Sequence, residues 1–167
     1  REHGLRDNAR NALGPGFPTL ATVCKEHGYQ TAAFVASFVL DSRFGLDRGF
    51  DTYNDDMGEV NFDVQALEWQ QPANIITDRA LGWLESAKRG PFFCWVHYYD
   101  PHQPYQPPEK FRQPDVHPYD GELAFTDTQV KRLSDWLASA GLVERTLVIV
   151  IGDHGAAFGE HRPPTRR

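Results

Sequence analysis

Two short stretches carry residue types that can do chemistry together. One is Gly152-Asp153-His154-Gly155; the other is Asp100-Pro101-His102-Gln103-Pro104-Tyr105. A carboxylate oxygen beside an imidazole nitrogen can hold a divalent cation, while a second imidazole can give a proton or hydrogen bond to an anionic substrate. The glycines on either side of Asp153 and His154 let the backbone turn sharply and approach a ligand closely. Two ligands do not complete a hard-cation site, which takes about six oxygen-rich ligands, so more carboxylates must come from elsewhere. Plainer readings stand beside this one: Asp153 as the cap of the element after it, and His102 as a loop histidine fixed by neighbouring prolines.

Both stretches come directly after runs that read as strands. Residues 146–151, Thr-Leu-Val-Ile-Val-Ile, are apolar and mostly β-branched without alternation, the pattern of a strand buried on both faces of a parallel sheet. Residues 92–99 are dense in aromatic and β-favouring types, and Pro101, Pro104, Pro107 and Pro108 forbid a helix in the segment beyond them. In open α/β sheets ligands gather at the carboxyl ends of the strands. If both strands are parallel, His102 and the Asp153-His154 pair converge on one edge although fifty residues separate them.

The remaining elements alternate as a parallel α/β sheet requires. A helix is predicted over 19–27, ended by Gly28, and a short buried strand over 31–35. Residues 38–53 read as turns pinned by aromatic anchors. A second helix is predicted over 74–89 and a third over 119–140, the latter with Leu123, Val130, Leu133, Leu137 and Ala140 on one face. Residues 3–16 read as a loop, and Asp55, Asp56 and Glu59 as a solvated acidic cluster. His97 reads as a core histidine; His3, His27, His117 and His161 read as solvent-facing.

The chain has 167 residues, 40% of them apolar and 13% aromatic, which suits a globular domain or a large piece of one. Its formal net charge of -6 offers no electrostatic case for nucleic acid or an acidic membrane surface. No apolar run is long enough to cross a bilayer, and the opening Arg1-Glu2-His3-Gly4 reads as a cut end. Cys24 and Cys94 fall on expected core positions, so two small buried apolar residues are favoured over a disulfide.

These residues also match a family pattern. The chain resembles the sulfatases, of the alkaline-phosphatase-like superfamily, in five stretches that occur in the family's order. They are His3-Gly4-Leu5-Arg6-Asp7-Asn8; Gly28-Tyr29-Gln30-Thr31-Ala32 with Gly45-Leu46 and Gly49-Phe50-Asp51; the Asp100 to Tyr105 stretch; Tyr119-Asp120-Gly121-Glu122 with Asp127; and Gly152-Asp153-His154-Gly155 with Gly159-Glu160-His161. The resemblance implies an α/β fold in three layers, a mostly parallel sheet flanked by helices, incomplete in this chain. It also implies sulfate ester hydrolysis at a divalent-cation site, Ca²⁺ ahead of Mg²⁺, with Asp153 and His154 as part of the metal site and His102 contacting the sulfate ester. A small-molecule or glycan sulfate ester is the implied substrate, and a secreted or periplasmic location the implied compartment.

The chain departs from that pattern in ways that bear on activity. Family members carry a Cys-x-Pro-x-Arg or Ser-x-Pro-x-Arg segment whose first residue becomes the formylglycine nucleophile; here Cys24 is followed by Lys-Glu-His and Cys94 by Trp-Val-His. The family's first-strand aspartate pair would precede residue 1, and Ala33-Phe34-Val35-Ala36-Ser37 stands where many members have Gly-Lys-Trp-His. The tail Arg162-Pro163-Pro164-Thr165-Arg166-Arg167 reads as a truncation or an altered frame. Residues 1–167 are thus expected to be a partial sulfatase catalytic domain, inactive alone, with the formylglycine nucleophile outside this chain. A phosphoesterase or phosphoethanolamine transferase of the same superfamily, and a non-catalytic remnant, remain as alternatives.

Overall fold

Helix α1 (Leu20–Glu26) starts where Thr19 and Thr22 cap each other: the Thr19 hydroxyl accepts from the Thr22 amide at 3.1 Å, and the Thr22 hydroxyl accepts from the Thr19 amide at 2.9 Å. It ends at Gly28, whose φ of +79° is open to glycine at little cost. A computed structural model of the chain describes residues 11–58, 70–156 and 158. The predicted loop over 3–16 therefore lies largely outside the described residues, as do His3, Glu59, the 159–161 stretch and the tail.

After α1 the chain enters β1 (Gln30–Phe34), the centre of a three-stranded parallel sheet with order β2-β1-β3. From Thr31 through Ser37 every residue is buried. Two alanines, Ala32 and Ala33, let other elements come close on both faces. β2 (Thr52–Asn54) pairs Ala32 with Thr52 and Phe34 with Asn54; β3 (Phe92–Val96) pairs Gln30 with Phe92 and Phe34 with Val96. β2 corrects the expectation of turns alone over 38–53. The run is aromatic, but its last residues find a buried neighbour with free backbone groups and become a strand.

The turns before β2 are built as expected, around aromatic anchors. Phe38 packs edge-on against Phe44 at 5.8 Å, and Phe50 lies against Tyr53, Phe93 and Trp95. Gly49 has φ of +89°, and a Cβ there would sit 2.3 Å from the Thr22 amide nitrogen, so only glycine lets this turn lie on α1. Asp55 accepts from the Ser42 amide, and Asp56 pairs with Arg79, so these two acids serve the turns rather than a metal.

Helix α2 (Ala73–Ala87) crosses between the parallel strands and buries Ala73, Ile76, Thr77, Ala80, Leu84 and Ala87, one face at three- and four-residue steps. Ile76 and Ala80 meet Ala32, Phe34 and Ala36 in the core, with Trp83, Cys94, Val96 and Leu133 packed around them. Helix α3 (Pro118–Ser139) buries Gly121, Glu122, Phe125 and Gln129; of the predicted face Leu123 is 48% exposed, while Val130, Leu133, Leu137 and Ala140 are half-buried. The periodicity picks out Leu133 correctly. Near the start of the helix Gly121 fits closely against Pro107 and the Phe111 carbonyl, and the buried residues there are Gly121 and Glu122 in place of Leu123. Both cysteines are free and partly buried, and burial pushes the Cys94 thiol up to about 12.

The largest departure is at residues 146–151. Among the described residues they pair with no strand, and Leu147, Ile149 and Ile151 are 85%, 65% and 81% exposed. Apolar, β-branched composition makes a strand only where a neighbouring strand supplies hydrogen bonds and layers cover its faces. Here no described element does either. No described helix is long and apolar enough to cross a membrane.

His97 continues from β3. Its amide donates to the Phe34 carbonyl at 2.9 Å and its Nδ1 accepts from the Ala36 amide at 3.3 Å, so it ties β3 to β1 as a core histidine would. Burial lowers its pKa, partly opposed by the charge of Asp153.

Two measurements on the folded chain check this packing. Ile76→Ala should cost about 2–5 kcal/mol in denaturant unfolding, whereas Ile149→Ala should stay within about 0.5 kcal/mol. Equal costs would contradict the exposed placement of 146–151. For His97, the unfolded imidazole takes up its proton near pH 6.5 and the folded one only at lower pH. Stability from its neutral form is therefore complete above that value and is lost as pH falls below it. His97→Asn should flatten the fall in melting temperature between about pH 7 and pH 5; an unchanged slope would remove His97 from the account.

Candidate active site

The parallel register puts the ends of β1 and β3 side by side, so the segments leaving the two strands share one edge of the sheet. Beyond β1 comes Ser37, whose fully buried hydroxyl has no hydrogen-bond partner among the described residues. Beyond β3 come His97, Tyr98, Tyr99 and the proline-rich loop. Tyr98 hydroxyl and Thr77 hydroxyl lie 2.7 Å apart, and Thr77 donates to the Ala73 carbonyl, fastening the strand's exit to α2. Asp100, half-buried, accepts from the Ala73 amide at 2.8 Å and so caps α2 from the loop. Burial raises its pKa against that hydrogen bond.

His102 stands exposed on this loop with both ring nitrogens engaged. Nδ1 lies 2.7 Å from the Gln103 carbonyl oxygen, which can only accept, so Nδ1 carries the proton. Nε2 lies 3.0 Å from the Tyr99 hydroxyl, and the Tyr99 ring stacks on the imidazole with centroids 4.1 Å apart. In the neutral ring Nε2 therefore accepts from Tyr99; once protonated it donates. An imidazole held flat on a tyrosine, with one nitrogen locked as a donor, presents the other as its exchangeable site.

Asp153 and His154 lie together at the start of the final described segment. The His154 amide donates to Asp153 Oδ1 at 2.9 Å, and its Nε2 is 3.7 Å from Asp153 Oδ2. Both side chains face solvent, at 91% exposure for Asp153 and 77% for His154. Asp153 is close enough to His97 for its charge to act on that buried ring. Farther on, Phe158 packs against Tyr105, His117 and Tyr119 at 4.8 to 6.2 Å, which brings this segment onto the proline-rich loop and the start of α3. His117 is exposed, as the sequence reading expects, and its Nδ1 accepts from the Tyr119 amide and caps α3.

Among the described residues, no group of three or more His, Cys, Asp or Glu could hold a metal ion. Asp153 and His154 are chemically suited to a cation, but two exposed ligands do not complete a hard-cation shell, so these residues by themselves do not fit one. The residues that hold His102, to which the sequence assigns no role, are Tyr99, Gln103 and Glu122. The sequence signal for Glu122 is a carboxylate directly beside the glycine of a helix's first turn, and it gains meaning only once that turn is seen to face the loop.

Alongside the loop lies a cleft of about 360 Å³ lined by Tyr105, Gln106, Phe111, Arg112, Gln113 and Val116. Arg112 closes one side, donating from Nε to the Pro107 carbonyl at 2.7 Å.

Comparison with known proteins places this architecture. A protein in the alkaline phosphatase superfamily from Vibrio parahaemolyticus is similar at 25% identity with a TM-score of 0.58, over 74% of this chain and 32% of its own. The lipoteichoic acid synthase LtaP from Listeria monocytogenes matches at 18% identity and a TM-score of 0.60, over 75% and 34%. Ps i-CgsB matches at 17% and 0.60, over 81% and 39%. The last two likenesses concern the fold alone, and the chain spans about a third of the length of these structures. No curated protein sequence matches significantly. The sulfatase family model matches residues 2–166. The fold is therefore the α/β, alkaline-phosphatase-like one, present here in part, and the chain belongs to the sulfatase family.

Proposed function

We propose that this chain is part of a sulfuric ester hydrolase, a partial catalytic domain in which His102 contacts the sulfate ester and Asp153 with His154 supplies part of a divalent-cation site, Ca²⁺ ahead of Mg²⁺. The observation that carries the reading is the fixed imidazole of His102 at the carboxyl edge of the parallel sheet, in a chain whose family is established. The substrate is a small-molecule or glycan sulfate ester met outside the cytoplasm.

The chemistry asked of His102 arises from its partners. With Nδ1–H donating to Gln103, a second proton on Nε2 makes the ring an imidazolium whose second donor, beside the Tyr99 hydroxyl, can turn to a bound anion. That donor suits an oxygen of the anionic ester or its leaving group, where charge builds as the S–O bond breaks. The Tyr99 hydroxyl, hydrogen-bonded to the same Nε2, keeps the ring in place in the absence of substrate. A cation, when bound, would polarise the sulfate oxygens. The 167 residues hold no Cys-x-Pro-x-Arg or Ser-x-Pro-x-Arg segment, so the nucleophile is supplied from outside them and the isolated chain turns over no ester.

Aryl sulfate turnover by the protein that carries this chain with its flanking sequence tests the reading. His102→Ala should lower kcat by about a hundredfold or more. Hydrolysis of an aryl phosphate in place of the sulfate would move the assignment to phosphoryl chemistry, and full activity in His102→Ala would remove His102 from it. For the isolated chain, calorimetric titration should give a Ca²⁺ dissociation constant of about 1 mM or weaker, and Asp153→Asn should abolish any such binding. Micromolar binding would show that the site is complete without further ligands.

A further inference from the structure

Glu122 is 4% exposed, directly after Gly121 near the start of α3. A carboxylate in such a place costs free energy unless its oxygens are hydrogen-bonded. Both are, and to one loop: Oε2 accepts from the His102 amide at 3.2 Å and Oε1 from the Gln106 amide at 2.5 Å. A single side chain therefore grips the loop at His102 and again four residues later.

The surroundings make this a rigid grip. Gly121 lets the helix turn seat against the loop, since a Cβ there would fall 2.7 Å from the Phe111 carbonyl oxygen and 2.9 Å from Pro107 Cγ. Thr126 donates to the Asp100 carbonyl at 3.4 Å, and Asp100 in turn caps α2. The segment between is rich in proline and has little secondary structure of its own, so its shape depends on these outside contacts. The ring of His102, by contrast, bonds to residues close to it in sequence, Tyr99 and Gln103. Where the imidazole sits relative to the sheet is set through its backbone.

We propose that Glu122 is a positioning residue for His102: its carboxylate spans the His102 and Gln106 amides and fixes the loop so that the imidazole faces the reacting ester. This rests on the proposed role of His102 in sulfate ester cleavage. Glutamine in place of Glu122 keeps size but has one accepting oxygen, and its NH₂ would face one of the two amide donors. One hydrogen bond is lost and two N–H groups are forced to face each other, which frees the loop by a fraction of an ångström to an ångström. Displacement of that order is enough to cost about ten- to a hundredfold in turnover.

A double-mutant cycle in the full-length enzyme tests this. Glu122→Gln should lower kcat/KM by about ten- to a hundredfold. In a His102→Ala background, which keeps the amide but not the ring, the same change should have no further effect. A residue that merely stabilises the fold would lower both backgrounds equally, and additive losses would overturn the proposal. Amide hydrogen exchange in the unsubstituted protein judges the clamp without turnover, and does so even if Glu122→Gln fails to fold or no sulfate ester is cleaved. The His102 and Gln106 amides should exchange at least about tenfold more slowly than the exposed loop amides around them. Exchange as fast as those neighbours would overturn the proposal by itself. Protected amides in an enzyme that cleaves no sulfate ester would refute the sulfatase reading and leave the clamp standing.

Discussion

The parallel pairing of β1 with β3 is the constraint on which the rest depends. Five residue pairs, from Gln30 with Phe92 to Phe34 with Val96, run in register, and one more hydrogen bond, from the His97 amide to the Phe34 carbonyl, extends the ladder past the strands' ends. Because the strands are parallel, both must exit on the same side, and a crossover must connect them. That connection runs through β2 and then α2, whose buried face of Ile76, Thr77, Ala80 and Leu84 covers the small residues of β1. The same α2 is capped by Asp100 from the loop that bears His102. Core packing and site geometry are thus linked through one carboxylate.

Much of this was legible in the sequence because local physics decides it. The helical spacing over 19–27 with Gly28 after it gives α1, the apolar spacing over 74–89 gives α2, and the aromatic run over 92–99 gives β3. β2 was not legible. Three residues of strand among turns carry no periodicity, and only the open backbone of β1 makes them one. On α3 only the start of the face was misread, at Leu123, for a related reason: Gly121 and Glu122 are buried by a loop contact, and no hydropathy pattern marks a buried carboxylate as an inward residue.

Residues 146–151 show the limit of composition most clearly. Their apolarity predicts a buried strand, yet among the described residues they include the most exposed large hydrophobics. Burial is a property of what lies alongside, and nothing described lies alongside. The sequence singles out His102, Asp153 and His154 as residue types that can do chemistry, and of these His102 follows the exit of β3, whereas the run before Asp153 is no strand among the described residues. What the sequence could not convey is how His102 is held, because Tyr99, Gln103 and Glu122 act through geometry: a stacked ring, a carbonyl and a carboxylate from a distant helix.

The most direct test is whether the His102 imidazole meets the ester. A benzylsulfonate, in which a methylene replaces the bridging oxygen of an aryl sulfate so that no ester S–O bond remains to break, can be titrated into the full-length enzyme while the ring nitrogens of His102 are followed by nitrogen-15 NMR. The account predicts that Nε2 changes its environment on binding, while Nδ1 keeps the shift of a nitrogen donating to the Gln103 carbonyl. A saturating ligand that leaves Nε2 unmoved would contradict it.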